Sequence, residues 1–310
     1  MVKYVGTRLL EAVPVLLAMS VLAFLLIHLV PGDPVRIAMG TLATDADIAT
    51  RRQELGLEAP LLDQYLRFVS GALHLDFGTS IKSGESVGEL VARRIWPSVL
   101  LVGSALSLSA LFSIGLGALA AAKRGTWADQ LIRAGLTITF VTPPFWLALL
   151  LILVVSIEWR LLPTSGFGST FGGQVQSIVL PALTMALALT PVLLRLLRSQ
   201  LIETLQSDYV EAARSRRLPW PRILFKHALR PSLGASLSVW GYLFAVSLSS
   251  SVVVEKIFAI PGLGSLLVEA VGGRDYPVIQ AVTLVMGAAV VVGSLLTDIV
   301  HVVVDPRVRA

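Results

Sequence analysis

Six long apolar runs divide this chain, and they constrain its fold more than any other feature. A helix needs about 20 apolar residues to cross the hydrocarbon core of a bilayer, because each residue rises only about 1.5 Å. Six stretches meet that requirement, and they cover residues 9–30, 98–122, 131–157, 178–197, 233–254 and 278–304. The sequence therefore predicts an all-α polytopic membrane protein with six transmembrane helices.

Composition supports this interpretation. The 310-residue chain is 55% hydrophobic and only 15% charged, whereas soluble domains carry about 25% charged residues. The first apolar run, residues 9–30, is longer than the roughly 7–15 apolar residues of a signal peptide. We therefore interpret this run as a retained transmembrane helix.

The runs also predict how the chain is organised. Residues 1–97 would form the first transmembrane helix and a folded outer loop with two or three short helices, and residues 98–310 a five-helix core. Basic residues favour the cytosolic side of a membrane. The N-tail, residues 123–133, residues 195–230 and the C-tail together hold 15 of the 25 Lys and Arg residues. We therefore expect both termini and the segment 195–230 in the cytosol.

A polar segment between the fourth and fifth runs, Asp208–Pro231, predicts a helical hairpin. It reads as one helix over residues 208–217 and a second over residues 222–229, separated by Leu-Pro-Trp-Pro. The two prolines of this turn restrict its backbone. Apolar or small residues follow helical spacing into the first helix at Ile202, Leu205, Tyr209 and Ala212. A cytosolic hairpin of this kind is typical of a docking element for a soluble partner.

The sequence offers no catalytic or metal-binding pattern. There is no cysteine, which excludes thiol nucleophiles, disulfides and thiolate metal sites. The phosphate-binding G-x-x-x-x-G-K-[ST] motif, H-E-x-x-H and G-x-S-x-G are also absent, and the four histidines are scattered. The sequence therefore predicts a protein that is not an enzyme, has no metal site and binds no cofactor of its own.

A secondary transporter driven by an ion gradient remains an alternative at this point. Such a protein predicts ionisable residues deep in the membrane and inverted repeats. The runs contain few charges, among them Glu11 and Asp298 near their ends, and no clear repeat. These observations favour another kind of transport protein.

The hairpin also resembles a known family. D-Y-V-E-A-A-R-S-R-R-L ahead of I-L-F-K-H-A-L-R-P-S-L is similar to the EAA loop of binding-protein-dependent ABC importer permeases, and most similar to the B-type subunit of the dipeptide/oligopeptide/nickel group. Further matching pieces are L-V-P-G-D-P at 29–34, L-G-L at 55–57, L-D-F-G-T-S at 75–80, L-P at 162–163 and 180–181, V-E-K-I-F at 254–258, P-G-L-G at 261–264 and R-D-Y-P at 274–277. The resemblance implies the type I ABC importer permease fold.

The resemblance also implies a function and a set of partners. The chain would be a permease subunit, in a bacterial inner membrane, of an importer for peptides or a similar small solute. Its partners would be a homologous second permease, two P-loop ATPases that bind ATP and Mg²⁺, and a substrate-binding protein. The family's cargoes include dipeptides, longer peptides, glutathione, nickel complexes and sugars, and the resemblance does not choose among them.

In such permeases the EAA loop inserts a coupling helix into a groove of the ATPase. By that resemblance we assign Tyr209, Ala212 and Ala213 to the groove, and we assign four residues to its polar rim. The rim residues are Asp208, Glu211, Arg214 and Arg217. The family usually has glycine at the position of Arg217, so we expect a positive φ to be less accessible there.

Two further groups of residues are candidates for transport roles. The fifth run is rich in serines that either pack helices closely or line a polar path, namely Ser247, Ser249, Ser250 and Ser251. The segment after it is predicted to contact the binding protein or the outer mouth of the path through Glu255, Phe258, Pro261 and Gly262. Four prolines, at 143, 144, 181 and 191, are predicted to break helical hydrogen bonding, and so to kink the chain, within or near the third and fourth helices.

Overall fold

A computed structural model describes residues 2–29, 35–36, 43–54 and 58–304. The sequence pieces at 30–34 and 55–57, and the basic C-tail beyond residue 304, lie outside these residues. The chain groups into two compact units. We call Val99–Ala259 with Val292–Ala310 the central unit, and Val2–Ser98 with Ile260–Val291 the N-terminal unit.

The described residues are mostly helical. The helices are α1 Val2–Leu29, α2 Asp45–Glu54, α3 Leu61–Leu73, α4 Val87–Ala122, α5 Trp127–Val141, α6 Pro144–Leu151, α7 Phe171–Leu205, α8 Asp208–Ser215, α9 Trp220–Arg222, α10 Arg230–Ile257, α11 Leu263–Gly273 and α12 Tyr276–Val304. A π-helical segment, Ile152–Glu158, extends α6, and a second one, Ile223–Leu229, joins α9 to α10.

The helices occupy the six regions predicted to cross the membrane. Within the described part of the chain, three helices are long and apolar enough to do so, at Val87–Ala122, Phe171–Leu205 and Tyr276–Val300. Two bent helix pairs raise this number to five if each pair is one span. A shorter apolar stretch, Leu10–Leu25, lies within α1. The all-α membrane fold predicted from the sequence is confirmed.

The prolines act differently from one another. The predicted third transmembrane helix is not straight, because Trp127–Val141 and Pro144–Glu158 meet at an angle of 107°. Pro143 lies at this break and has no N–H to donate. By contrast, α7 continues through Pro181 and Pro191, where each proline removes one backbone donor without ending the helix. Both of these prolines are buried.

Helix α7 organises the central unit. Most of its apolar stretch is buried, and it packs against α5, α6 and α10. Leu189 and Leu193 of α7 form an apolar cluster with Leu243 of α10. The Thr190 hydroxyl donates to the Ser109 hydroxyl of α4 at 3.4 Å. These contacts fix the middle of α7, and the hairpin continues from its C-terminal end.

The N-terminal unit has its own core. Val87 and Val91 at the start of α4 pack against residues of α11 and α12, including Leu263 and Val282. The outer loop contributes α2 and α3, the short helices that the sequence predicts there. Threonine 44 begins α2 with a capping box, in which Thr44 N donates to Asp47 Oδ2 (3.1 Å) and Asp47 N donates to Thr44 Oγ1 (3.2 Å).

Candidate functional site

The hairpin, Asp208–Pro231, begins at a two-residue turn after α7. The Ser207 hydroxyl donates to the Thr204 carbonyl at 2.6 Å. The Ser207 carbonyl accepts from the backbone N–H groups of Val210 (3.0 Å) and Glu211 (3.1 Å), which opens α8. The direction of α8 relative to α7 is therefore set by short-range hydrogen bonds.

The first helix ends at a left-handed residue. Arg217 has φ of 54°, its N–H donates to the Arg214 carbonyl at 2.8 Å, and Leu218 N donates to the Ala213 carbonyl at 3.3 Å. This pair of bonds is a Schellman motif, whose left-handed position is most often glycine. The positive φ is thus retained with arginine, contrary to the expectation from sequence. The left-handed conformation costs a non-glycine residue about 1–2 kcal/mol.

The two arms of the hairpin contact each other through polar and aromatic groups. The Arg214 guanidinium lies 5.7 Å from the centroid of the Trp220 ring. The Tyr209 hydroxyl donates to the His227 carbonyl at 3.2 Å. Because the contacts join residues on both sides of the Pro219 turn, they hold the arms in one arrangement.

A buried apolar cluster, which we call the hairpin core, anchors the hairpin. Its members come from the ends of α4 and α7, from α8 and from the second arm. They are Ala118, Ala121, Leu197, Leu201, Leu205, Val210, Ala213, Ile223, Leu224, Ala228 and Leu229. The hairpin is therefore an integral part of the central unit.

The hairpin core corrects one predicted contact. Ala213 is only 6% exposed, so it packs inside the chain and is not available to a partner. The family resemblance assigned Ala212 and Ala213 to the groove together, although adjacent residues of a helix point about 100° apart. After the turn at Gln206–Ser207, Val210 and Ala213 face inward.

The opposite side of α8 is accessible. Asp208, Glu211, Ala212 and Ser215 are exposed and follow i, i+3, i+4, i+7 spacing, which places them along one side of the helix. We call these four residues the outward face. The other predicted hairpin residues, Tyr209, Arg214 and Arg217, are also exposed.

Two aromatic residues of the hairpin did not appear among the predicted site residues. Trp220 is 42% exposed and Phe225 is 58% exposed. Large exposed aromatic side chains are frequent anchors of protein–protein interfaces. Their presence within a strongly basic segment was the signal in the sequence that would have identified them.

A buried ion pair fixes α5 to α7 above the hairpin. The Asp129 carboxylate is 1% exposed and accepts from Arg198 Nε at 2.9 Å and from Arg198 Nη2 at 2.7 Å. Gly125 N also donates to it at 3.1 Å. Sequence analysis missed this pair, because Asp129 and Arg198 are far apart in the chain and no local pattern connects them.

Two family models match the chain. The model described as "Binding-protein-dependent transport system inner membrane component" matches residues 113–310. The model for the N-terminal part of such components matches residues 1–82. The chain belongs to this permease family.

The permease is similar in sequence to curated relatives over its full length. It is 38% identical to the "Glutathione transport system permease protein GsiC" of Salmonella paratyphi A over 310 residues, which is 100% of this chain and 99% of the relative. It is 36% identical over 309 residues to the protein of the same name from Escherichia coli, with the same coverage of both chains. The prediction of an ABC importer permease for peptides or a similar small solute is confirmed over the alternative of an ion-driven transporter.

The serines of α10 differ in accessibility. Ser247 and Ser251 are buried in the permease, and their hydroxyls donate to the carbonyls of Phe244 (2.7 Å) and Leu248 (2.9 Å). These two serines therefore pack the helix and do not line a path. Ser249 is exposed and Ser250 is half-buried, so lining of a polar path stays a prediction for these two.

The segment after α10 is also less accessible than predicted. Glu255 and Phe258 are fully buried, Gly262 is buried and Pro261 is half-buried. The Phe258 carbonyl accepts from Gly166 N at 2.8 Å. Surface contact by Glu255, Phe258 and Gly262 is therefore excluded in this conformation, because their atoms pack within the permease.

Two of the sequence segments that resemble the permease family, L-D-F-G-T-S at 75–80 and R-D-Y-P at 274–277, contact each other in the N-terminal unit. Asp275, from R-D-Y-P, is buried, and its carboxylate accepts from the Ser80 hydroxyl that ends L-D-F-G-T-S. It also accepts from Ile81 N at 3.1 Å and Lys82 N at 3.4 Å. One carboxylate thus fixes the turn of the outer loop that precedes α4, which the sequence alone did not predict.

Proposed function

We propose that this permease imports short peptides of the size of glutathione, and that its hairpin receives an ATPase subunit at the outward face. The relatives named as glutathione permeases support the cargo. The observation that carries the docking role is the division of α8 into two sides. Val210 and Ala213 anchor the helix in the hairpin core, while the outward face is exposed.

The proposed assembly contains a homologous second permease, two P-loop ATPases and a substrate-binding protein. The chain has no phosphate-binding loop, so ATP and Mg²⁺ would bind to the ATPases. The family description supports a binding protein and an inner-membrane location. The distribution of Lys and Arg supports cytosolic termini and a cytosolic hairpin.

The outward face and the other exposed residues of the hairpin have a composition that suits a protein partner. Asp208 and Glu211 supply negative charge and Ala212 permits close approach, while Tyr209, Trp220 and Phe225 supply large apolar area. Arg214 and Arg217 add positive charge at the edge. In this mechanism ATP-driven closure of the ATPases displaces α8, and the hairpin core passes the displacement to α4 and α7.

Neighbouring alanines provide a direct test of docking. The chain has no cysteine, so Ala212→Cys and Ala213→Cys are each single reactive thiols that differ in burial. In the assembled importer, a short reagent that carries a maleimide and a photoreactive benzophenone should label Ala212→Cys and, on irradiation, cross-link it to the ATPase, whereas Ala213→Cys should stay unlabelled. Equal cross-linking at both positions, or none at Ala212→Cys while transport persists, would contradict docking at the outward face.

A competition experiment tests the cargo. Proteoliposomes with the complete importer and its binding protein should take up radiolabelled glutathione in an ATP-dependent manner. Unlabelled short peptides should compete with this uptake, whereas a nickel complex should not. Proteoliposomes that hydrolyse ATP in response to the binding protein but take up neither glutathione nor a short peptide would refute the proposed peptide cargo and leave the docking role intact.

A further inference from the structure

An apolar cavity lies in the N-terminal unit between α1, α3 and α12. Its volume is about 460 Å³, within the range of about 300–1,000 Å³ that is typical of ligand sites. Its walls include Leu16 of α1, Val69 and Ala72 of α3, and Leu284 and Ala288 of α12. Among the described residues that line it, Ser20 alone carries a side-chain hydroxyl, and that group lies 2.8 Å from both the Leu17 carbonyl and the Tyr65 hydroxyl.

The cavity lies at the depth of the hydrocarbon core. Leu284 and Ala288 are about 12 and 18 Å along α12 from its first residue, Tyr276, at 1.5 Å per residue. Helix α12 has 29 residues and is therefore about 43 Å long. A hydrocarbon core of about 30 Å centred on it begins about 6 Å from each end, so both residues lie within that core. Val13 and Ser20, which also line the cavity, bracket the middle of the 28-residue α1. This depth does not depend on which end of each helix faces the cytosol.

Helix α3 has the sidedness expected of a helix in contact with acyl chains. The residues that line the cavity, including Phe68, Val69, Ala72 and Leu73, share one side of the helix. Leu62 and Leu66 extend that apolar side and are more than half exposed. Asp63, Arg67 and Ser70 lie on the opposite side at 100° per residue. An amphipathic helix of this kind lies along the membrane with its apolar side among the acyl chains.

Contacts on α1 hold α3 beside the membrane helices. The rings of Phe24 and Tyr65 meet edge to face at 5.4 Å between centroids. The end of the Met19 side chain of α1 packs directly against Gly287 of α12. The cavity is therefore bounded by packed helices and is continuous with the exposed apolar surface of α1 at Val13 and Leu17.

We propose that this cavity holds an acyl chain of a membrane phospholipid, with α3 lying in the same leaflet as an interfacial helix. An acyl chain matches the hydrocarbon walls, the depth, and the continuity with the exposed apolar surface of α1. A polar solute would find no side-chain hydrogen-bonding group in these walls besides the Ser20 hydroxyl, which already has partners. This inference does not depend on the cargo or on ATPase docking.

Fluorescence quenching can test the proposal in the assembled importer in nanodiscs. Because the chain lacks cysteine, an environment-sensitive fluorophore can be attached at Leu73→Cys, on the cavity side of α3. The matched control is Asp63→Cys on the polar side of the same helix. Phospholipids with a nitroxide on the acyl chain should quench the Leu73 position several-fold more than aqueous iodide does. The Asp63 position should show the reverse preference.

Variants that fill the cavity distinguish an acyl chain held inside the cavity from general contact of α3 with the lipid bilayer. Ala288→Phe, introduced with Leu73→Cys, should reduce acyl-chain quenching by at least half, and Ala72→Leu on the opposite wall is a second, smaller variant. Native mass spectrometry should show the loss of one retained phospholipid in the filled variants. Unchanged quenching in both, or acyl-chain quenching that is absent from the assembled importer but present in the isolated permease, would overturn the proposal. The latter result would mean that a protein partner covers the cavity.

Discussion

The Asp129–Arg198 ion pair supports a sharp prediction about stability. Asp129→Asn removes the negative charge and leaves the Arg198 guanidinium without its bidentate partner. Breaking a buried ion pair costs about 3–5 kcal/mol. Arg198 is 20% exposed, and water can partly solvate it, so we expect the lower end of that range. A loss of about 3 kcal/mol corresponds to a change of about a hundredfold in the unfolding equilibrium.

The loss is measurable by unfolding the purified permease with SDS in mixed micelles, with the intrinsic fluorescence of its tryptophans as the signal. Glu85→Gln is the matched control, because Glu85 pairs with Arg93 in an exposed ion pair. Exposed pairs contribute about 0–1 kcal/mol. If Asp129→Asn costs no more than Glu85→Gln, the burial argument is wrong.

A double substitution distinguishes loss of the pair from loss of helix packing. Asp129→Leu together with Arg198→Met removes both charges and leaves apolar groups of similar size. Such replacements are often neutral or stabilising, so the double variant should recover most of the stability lost in Asp129→Asn. A double variant that is less stable than Asp129→Asn would show that the carboxylate has another structural role.

Two further predictions concern single residues. Arg217→Gly should raise the free energy of unfolding by about 1 kcal/mol, because glycine adopts a left-handed backbone without steric cost. If the SDS concentration at the midpoint of unfolding did not change, the turn assigned to Arg217 would be wrong. Asp275→Ala should increase hydrogen–deuterium exchange several-fold at the amides that follow Ser80, because those N–H groups lose their acceptor. Exchange at wild-type rates, with Asp63→Ala as the control, would argue against a positioning role for Asp275.

The sequence predicted the helices well where a strong apolar period or a proline determined them. The six apolar runs, the Pro-rich turn of the hairpin and the short helices of the outer loop all follow from local pattern. The prolines show the limit of such reasoning. Pro143 accompanies a 107° bend, whereas Pro181 and Pro191 lie within a continuous helix, and only the tertiary packing around each proline decides between these outcomes.

The sequence predicted which segment forms the candidate site, but not which of its side chains are exposed. Six of the seven hairpin residues are exposed, and the error at Ala213 arose because the resemblance assigned two adjacent residues of one helix to the same groove. The contacts of Asp129 and Asp275 join residues that are distant in the chain. A single sequence contains no local pattern that reports such pairs, so they required the three-dimensional structure.

The hairpin core has a mechanical consequence. Close-packed interiors have low compressibility and transmit strain, and this cluster joins α8 to the ends of both α4 and α7. A displacement of α8 would therefore act on both membrane helices, α4 and α7, at the same time. Weakening the contacts of the hairpin core with only one of these two helices should reduce the movement of that helix. The other helix would still move with α8, so the two helices would no longer move together.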